Sequence, residues 1–174
     1  MYDDGCGGNA INRSGFLRGR FVNRIMPTLP PWSIREDQFH DVCTRCDDCI
    51  AACPDSLVVK GQGGFPVMDF KRGTCTFCAQ CVDVCQTGAL SLGGGASPWD
   101  ITAAVSDTCL SRVGVTCRVC GDHCDEDAIA FRFAVGGVAT PVVDTSNCTG
   151  CGACVASCPI DAIDMTQPGR RTAT

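Results

Sequence analysis

The chain has 174 residues and a formal charge of −5, with 6 % aromatic residues, 20 glycines and 17 cysteines. So few aromatics leave either half with a thin apolar core, and a covalent or inorganic staple must supply part of the stability. The acidic balance argues against nucleic acid as a partner, and no apolar run is long enough to span a bilayer.

The opening Met1-Tyr2-Asp3-Asp4 is acidic with no apolar segment behind it, so a cleaved export signal is not expected. Cys6 stands alone among glycines and reads as an unpaired thiol. Residues 10–31 then contain no acid but carry Arg13, Arg18, Arg20 and Arg24. Leu17, Phe21 and Ile25 recur at helical spacing, and Arg13, Arg20 and Arg24 edge that stripe. Such an arm, over residues 1–30, is expected to dock on a partner through Arg13, Leu17, Arg18, Arg20, Phe21 and Arg24. The alternative is an arm folded back over its own first module. Gly15 and Gly19 each weaken an isolated helix by about 1 kcal/mol, which favours order on contact. Asn12 to Arg18 is similar to a twin-arginine export motif without its second arginine, and nothing apolar behind it supports export.

Pro30-Pro31-Trp32 ends the arm, and the cysteine groups begin. Cys43-x2-Cys46-x2-Cys49-x3-Cys53, Cys75-x2-Cys78-x2-Cys81-x3-Cys85 and Cys148-x2-Cys151-x2-Cys154-x3-Cys158 share one spacing. Cys109-x7-Cys117-x2-Cys120-x3-Cys124 keeps the later spacings and stretches the first. The total is odd and the spacings are tight, which suits metal ligation better than disulfides. Zinc sites also use Cys-x2-Cys pairs, but a third cysteine two residues on is the run that holds a [4Fe–4S] cube in bacterial ferredoxins. Sixteen thiolates, four to a cube, make four clusters.

Between the groups the chain repeats itself. Pro31-Trp32 and Pro98-Trp99 precede the first and third groups, and Phe65-Pro66-Val67-Met68-Asp69 recurs as Thr140-Pro141-Val142-Val143-Asp144. Short strands are expected at Leu57–Val59, Ala89–Leu92, Ala128–Phe131 and Ala162–Met165, each after a helical turn. Pro54 and Pro159 suit the first position of that turn, where Gln86 and Asp125 stand in the other two groups. Gly61–Gly64 and Gly136-Gly137 are hairpin turns, with Pro66 and Pro141 on edges. The fold class is therefore α+β, a tandem pair of bacterial-ferredoxin-like modules over residues 31–97 and 98–166, with a tail at 167–174.

Two intervening residues let a looping backbone set three sulfurs on three corners of one cube, while the fourth cysteine reaches the neighbouring cube. This places Cys43, Cys46, Cys49 and Cys85 together, and Cys75, Cys78, Cys81 with Cys53. It likewise joins Cys109, Cys117, Cys120 and Cys158, and Cys148, Cys151, Cys154 with Cys124. A pairing of the first group with the last is the open alternative, and the ligand set is the same either way. The Cys109–Cys117 gap is either a tolerated loop insertion or the edge of an exposed, labile cube. His40 and His123 are not needed as ligands, Trp32 and Trp99 read as packing anchors, and no catalytic pair or phosphate loop appears.

Gly15-Phe16-Leu17-Arg18-Gly19, Pro30-Pro31-Trp32, Cys43-Thr44-Arg45-Cys46-Asp47-Asp48-Cys49 and Gly63-Gly64-Phe65-Pro66 together resemble the NapF family. So do Cys75-Thr76-Phe77-Cys78, the stretched third group and Cys148-Thr149-Gly150-Cys151-Gly152. These are ferredoxin-type proteins of the periplasmic nitrate reductase system. The family's arm carries adjacent arginines, whereas Ser14 follows Arg13 here. The resemblance implies a cytoplasmic, non-enzymatic accessory protein that binds the catalytic subunit, NapA, before its export and helps it acquire a [4Fe–4S] cluster. An electron carrier or an electron-transfer subunit of a redox enzyme is the alternative.

Overall fold

The computed structural model describes residues 27–93, 97–133 and 137–167. The arm residues Arg13, Leu17, Arg18, Arg20, Phe21 and Arg24 lie outside the described residues, as do Cys6 and Gly136.

In the first half the chain leaves Trp32 for helix α1 (Glu36–Val42), whose acidic first turn suits the helix dipole. Its Phe39 is fully buried against Cys81, Ala89 and Leu90. Helix α2 (Asp48–Ala52) follows, then β1 (Val58–Lys60), a 3-10 turn at Gln62–Gly64 and β2 (Pro66–Met68). The turn needs its glycines: Gly63 and Gly64 both have left-handed φ, 68° and 81°. Helix α3 (Gln80–Asp83) closes the half. In the second half β3 (Thr102–Val105), α4 (Val119–Asp122), β4 (Ile129–Arg132), β5 (Thr140–Val143), α5 (Ala153–Ala156) and β6 (Ile163–Thr166) follow in order.

The described strands form three antiparallel pairs: β1 with β2, β4 with β5, and β3 with β6. The β1–β2 and β4–β5 hairpins occupy equivalent places in the two halves, as the repeat predicts. The partner of β6 is a strand the pattern did not announce, β3, which ties the start of the second half to its end. Its first-half counterpart is a single bridge between Ser33 and Leu90, so the strand expected at Ala89–Leu92 does not form. The reason is local. After Trp32 the chain turns into α1 within four residues, leaving no extended segment to pair with, whereas Thr102-Ala103-Ala104-Val105 stays extended after Trp99.

One apolar core runs through both halves. Leu57, Val58, Met68 and Phe70 of the first pack with Ile101, Ala103, Ile129, Val155 and Ile163 of the second. The seam is also hydrogen-bonded, since the Trp32 N–H donates to the Pro98 carbonyl at 2.6 Å and the Cys75 N–H to the Cys151 carbonyl at 2.8 Å.

Candidate cluster-binding sites

The loops around the cysteines repeat an uncommon backbone. The residues before and after the second cysteine are left-handed in three groups: Arg45 (φ 59°) and Asp47 (69°), Phe77 (52°) and Ala79 (60°), Gly150 (78°) and Gly152 (85°). For a residue with a Cβ this costs roughly 1–2 kcal/mol, and Arg45, Asp47, Phe77 and Ala79 all bear it. Left-handed residues alternating along a loop turn successive N–H groups to its concave side, a nest that suits an anion. A cube with its thiolates is such an anion, and the chain's own backbone is shaped for it before any ligand is considered.

A second repeat follows each fourth cysteine. Three residues on, Ser56 (54°), Gly88 (74°), Asp127 (49°) and Asp161 (53°) are all left-handed. The turn aims a backbone N–H back at the sulfur: Leu90 N–H to Cys85 Sγ at 3.3 Å, Ala128 to Cys124 at 3.3 Å, and Ala162 to Cys158 at 3.2 Å. The Thr87 hydroxyl lies 3.7 Å from Cys85 Sγ.

Cys43, Cys46, Cys49 and Cys85 line one cavity of about 290 Å³. Cys75, Cys78, Cys81 and Cys53 line a second, and Cys109, Cys117, Cys120 and Cys158 a third, of about 20 Å³ each. At the remaining group the Cys154 thiol is pushed up to about 12 by burial and by Cys148, Cys151, Cys120 and Cys124. The structure thus brings the fourth cysteine of each group to the other group of the same half. Among the described residues no three His, Cys, Asp or Glu side chains close around a point that would hold a single ion.

Burial also sets thiol acidity. Cys49 rises from 9.0 to about 12, first through burial and then through Cys43, Cys46, Cys81 and Cys85. Burial lifts Cys75, Cys81 and Cys120 to about 11 against the opposing pull of backbone N–H groups. A cationic ligand must therefore displace protons as it enters.

Residues 42–90 match the 4Fe-4S dicluster domain family, and residues 141–164 the 4Fe-4S binding domain family. The ferredoxin-type protein NapF of Escherichia coli (strain K12) is 40 % identical over 152 residues, covering 87 % of this chain and 92 % of that protein. The chain belongs to the NapF family of ferredoxin-type proteins. The NapF protein of Haemophilus influenzae is also 40 % identical, over 167 residues, 90 % of this chain and 94 % of its own. More distant is the methylamine utilization ferredoxin-type protein MauM of Methylophilus methylotrophus, 34 % identical over 146 residues, 74 % of this chain and 65 % of MauM.

This NapF-type chain carries features at its sites that the cysteine spacing did not disclose. Arg45 lies over the Phe65 ring at 5.1 Å and Arg118 over Phe131 at 4.8 Å, one cation on an aromatic face in each half. Trp99 meets Phe70 and Phe77 edge-on, each at 5.7 Å, and donates its indole N–H to the Thr149 carbonyl at 3.0 Å. It thereby touches both inner cysteine groups. The two-residue spacing already turns the loop N–H groups inward; the left-handed backbone that does so is hinted at in the sequence by Gly150 and Gly152, glycines at positions where the other groups carry side chains. His40 and His123 hydrogen-bond within their own helices, to the Glu36 and Val119 carbonyls.

The stretched loop is not slack. Ser111 is buried and donates its hydroxyl to the Cys117 carbonyl at 2.6 Å, while Arg112 pairs with Asp107. No helix among the described residues is long and apolar enough to cross a membrane.

Proposed function

We propose that this chain is a cytoplasmic, non-enzymatic iron–sulfur accessory protein that holds four [4Fe–4S] clusters on its sixteen grouped cysteines. It binds the catalytic subunit of periplasmic nitrate reductase before export and assists the loading of that subunit's own [4Fe–4S] cluster. The observation that carries this is identity to NapF proteins across nearly the whole chain, 92 % of one relative and 94 % of another. The cysteine-lined cavities and N–H nests support the cluster assignment, and two modules of paired sites support the tandem arrangement. Each cube supplies a one-electron couple when bound; the chain's residues hold it, screen it from water and aim N–H groups at its sulfurs. The basic arm, through Arg13, Leu17, Arg18, Arg20, Phe21 and Arg24, is the docking element. Binding through arginine at a rim weakens as salt screens it.

The test is transfer. The protein labelled with iron-57 is mixed anaerobically with cluster-free catalytic subunit, the two are separated, and label is counted on each. Label and activity appearing together in the catalytic subunit support donation, and label that stays behind overturns it. The direct Cys75–Cys151 hydrogen bond between the halves favours a second reading, an electron carrier, because it joins the inner sites of the two modules.

A further inference from the structure

Three of the cysteine loops carry the left-handed pair around the second cysteine, and the stretched one does not. Thr116 and Arg118, which flank Cys117, are absent from the positive-φ residues, and Arg118 sits at φ −133°. The left-handed residue of this loop, Gly114 at 91°, lies in the stretched Cys109–Cys117 gap and does not flank Cys117. The Cys109 site keeps the amides near Cys120 and Cys158 that the other sites also have, so its deficit is the nest itself.

Solvent points the same way. Cys109 and Cys120 are both buried and no cysteine of this site is exposed, as at the Cys148 site, whereas the Cys43 site opens through exposed Cys46 and the Cys75 site through exposed Cys78. The apolar lining of this site, Leu110, Val119 and Ile163, is matched at the Cys75 site by Trp32, Leu57 and Val58, which leaves the missing nest as the difference between them. The nearby cations balance, since Arg118 on Phe131 matches Arg45 on Phe65. Reduction adds one negative charge to a cube. N–H dipoles and water favour the reduced form, and an apolar wall disfavours it.

Position completes the picture. Cys49 and Cys81 are near enough to affect one another, as are Cys120 and Cys154, and Cys75 is hydrogen-bonded to Cys151. The sites therefore follow one another in space as Cys43, Cys75, Cys148, Cys109. Resting on the assignment of the cysteines to four cubes made above, we infer that the chain of sites is polarised: the Cys109 site, at one end of the row, would hold the cube that is hardest to reduce, and an electron placed there would leave toward the Cys148 site. Each passage oxidises one cube by one electron and reduces its neighbour by one, with no other reactant. The initial electron comes from a low-potential one-electron donor.

The test is an anaerobic redox titration of the full, cluster-loaded protein with titanium(III) citrate, followed by electron paramagnetic resonance and iron counting. In Cys117→Ser the serine either keeps the cube and shifts its component or loses the cube and removes that component. Either way the affected component is expected to be the last to reduce. Thr87→Val, which leaves all ligands in place, is expected to move a component other than the last to reduce to a more negative potential. If Cys117→Ser alters any component but the most negative, the polarity is overturned while the four-cube reading stands. If the wild-type iron count falls short of four cubes, or no component responds to Cys117→Ser, the ligand assignment fails and the inference with it.

Discussion

At the scale of single residues, two glycines share left-handed backbone and differ in the space around them. Gly88 has φ 74° and open space where a Cβ would stand, whereas a Cβ at Gly152, φ 85°, would overlap the Phe70 ring. Gly88→Ala is expected to cost about 1 kcal/mol, the backbone penalty alone. Gly152→Ala should cost about 3–5 kcal/mol, since the ring must move as well. Chemical denaturation of the loaded protein distinguishes them. Thiol acidity belongs to the same scale. With Cys49 and Cys154 near 12 and Cys75, Cys81 and Cys120 near 11, the cluster-free thiols are neutral at physiological pH. Cluster insertion expels these protons, so reconstitution with iron and sulfide should accelerate between about pH 7 and 9. Stopped-flow absorbance would show a flat or falling profile if it does not.

At the scale of elements, the two tryptophans are not equivalent although the repeat pairs them. Trp99 meets Phe70 and Phe77 and hydrogen-bonds Thr149, while Trp32 meets Phe77 at 6.3 Å. Trp99→Ala should destabilise the protein by about 3 kcal/mol and Trp32→Ala by less, read as thermal midpoints. The cysteine runs, the hairpins and the Pro-Trp repeat were legible because each has a spacing that only one local geometry satisfies. Helix α1 and strand β3 were not legible. They follow the same Pro-Trp signal, and what separates them is weak: acids and Phe39 in one, Thr102 and Val105 in the other. Strand β3 exists because β6 returns to it from some sixty residues away, and no local pattern reports that. Inward loop amides follow from the spacing, but the left-handed residues that deliver them were hidden for a different reason. Arg45, Asp47, Phe77 and Ala79 are residues that rarely adopt positive φ, and the site imposes it on them.

At the scale of the whole molecule, the buried core includes Cys81, Cys109, Cys120 and Cys154 among its members. Stripping iron with a chelator under reducing conditions turns part of that core into protonated thiols with nothing between them. Far-ultraviolet dichroism should then show loss of most secondary structure, and a native spectrum after complete iron removal would refute the dependence. The two halves should not resist opening equally. In the first, the ends are clasped by the Ile34 N–H on the Ala89 carbonyl and the Ser91 N–H on the Trp32 carbonyl; in the second, a ladder runs from Thr102↔Thr166 to Val105↔Ile163. Two further hydrogen bonds at about 1 kcal/mol each make roughly a thirtyfold difference in how often each half opens. Amide exchange at Ile34 and Ser91 should outpace that at Ala104 and Ser106, whose N–H groups face β6, by about that factor. The protein would then behave as a purse with one loose clasp: a protease, an unfoldase or an iron scavenger would enter at Ser33–Leu90, and the Cys43 cavity would meet it first.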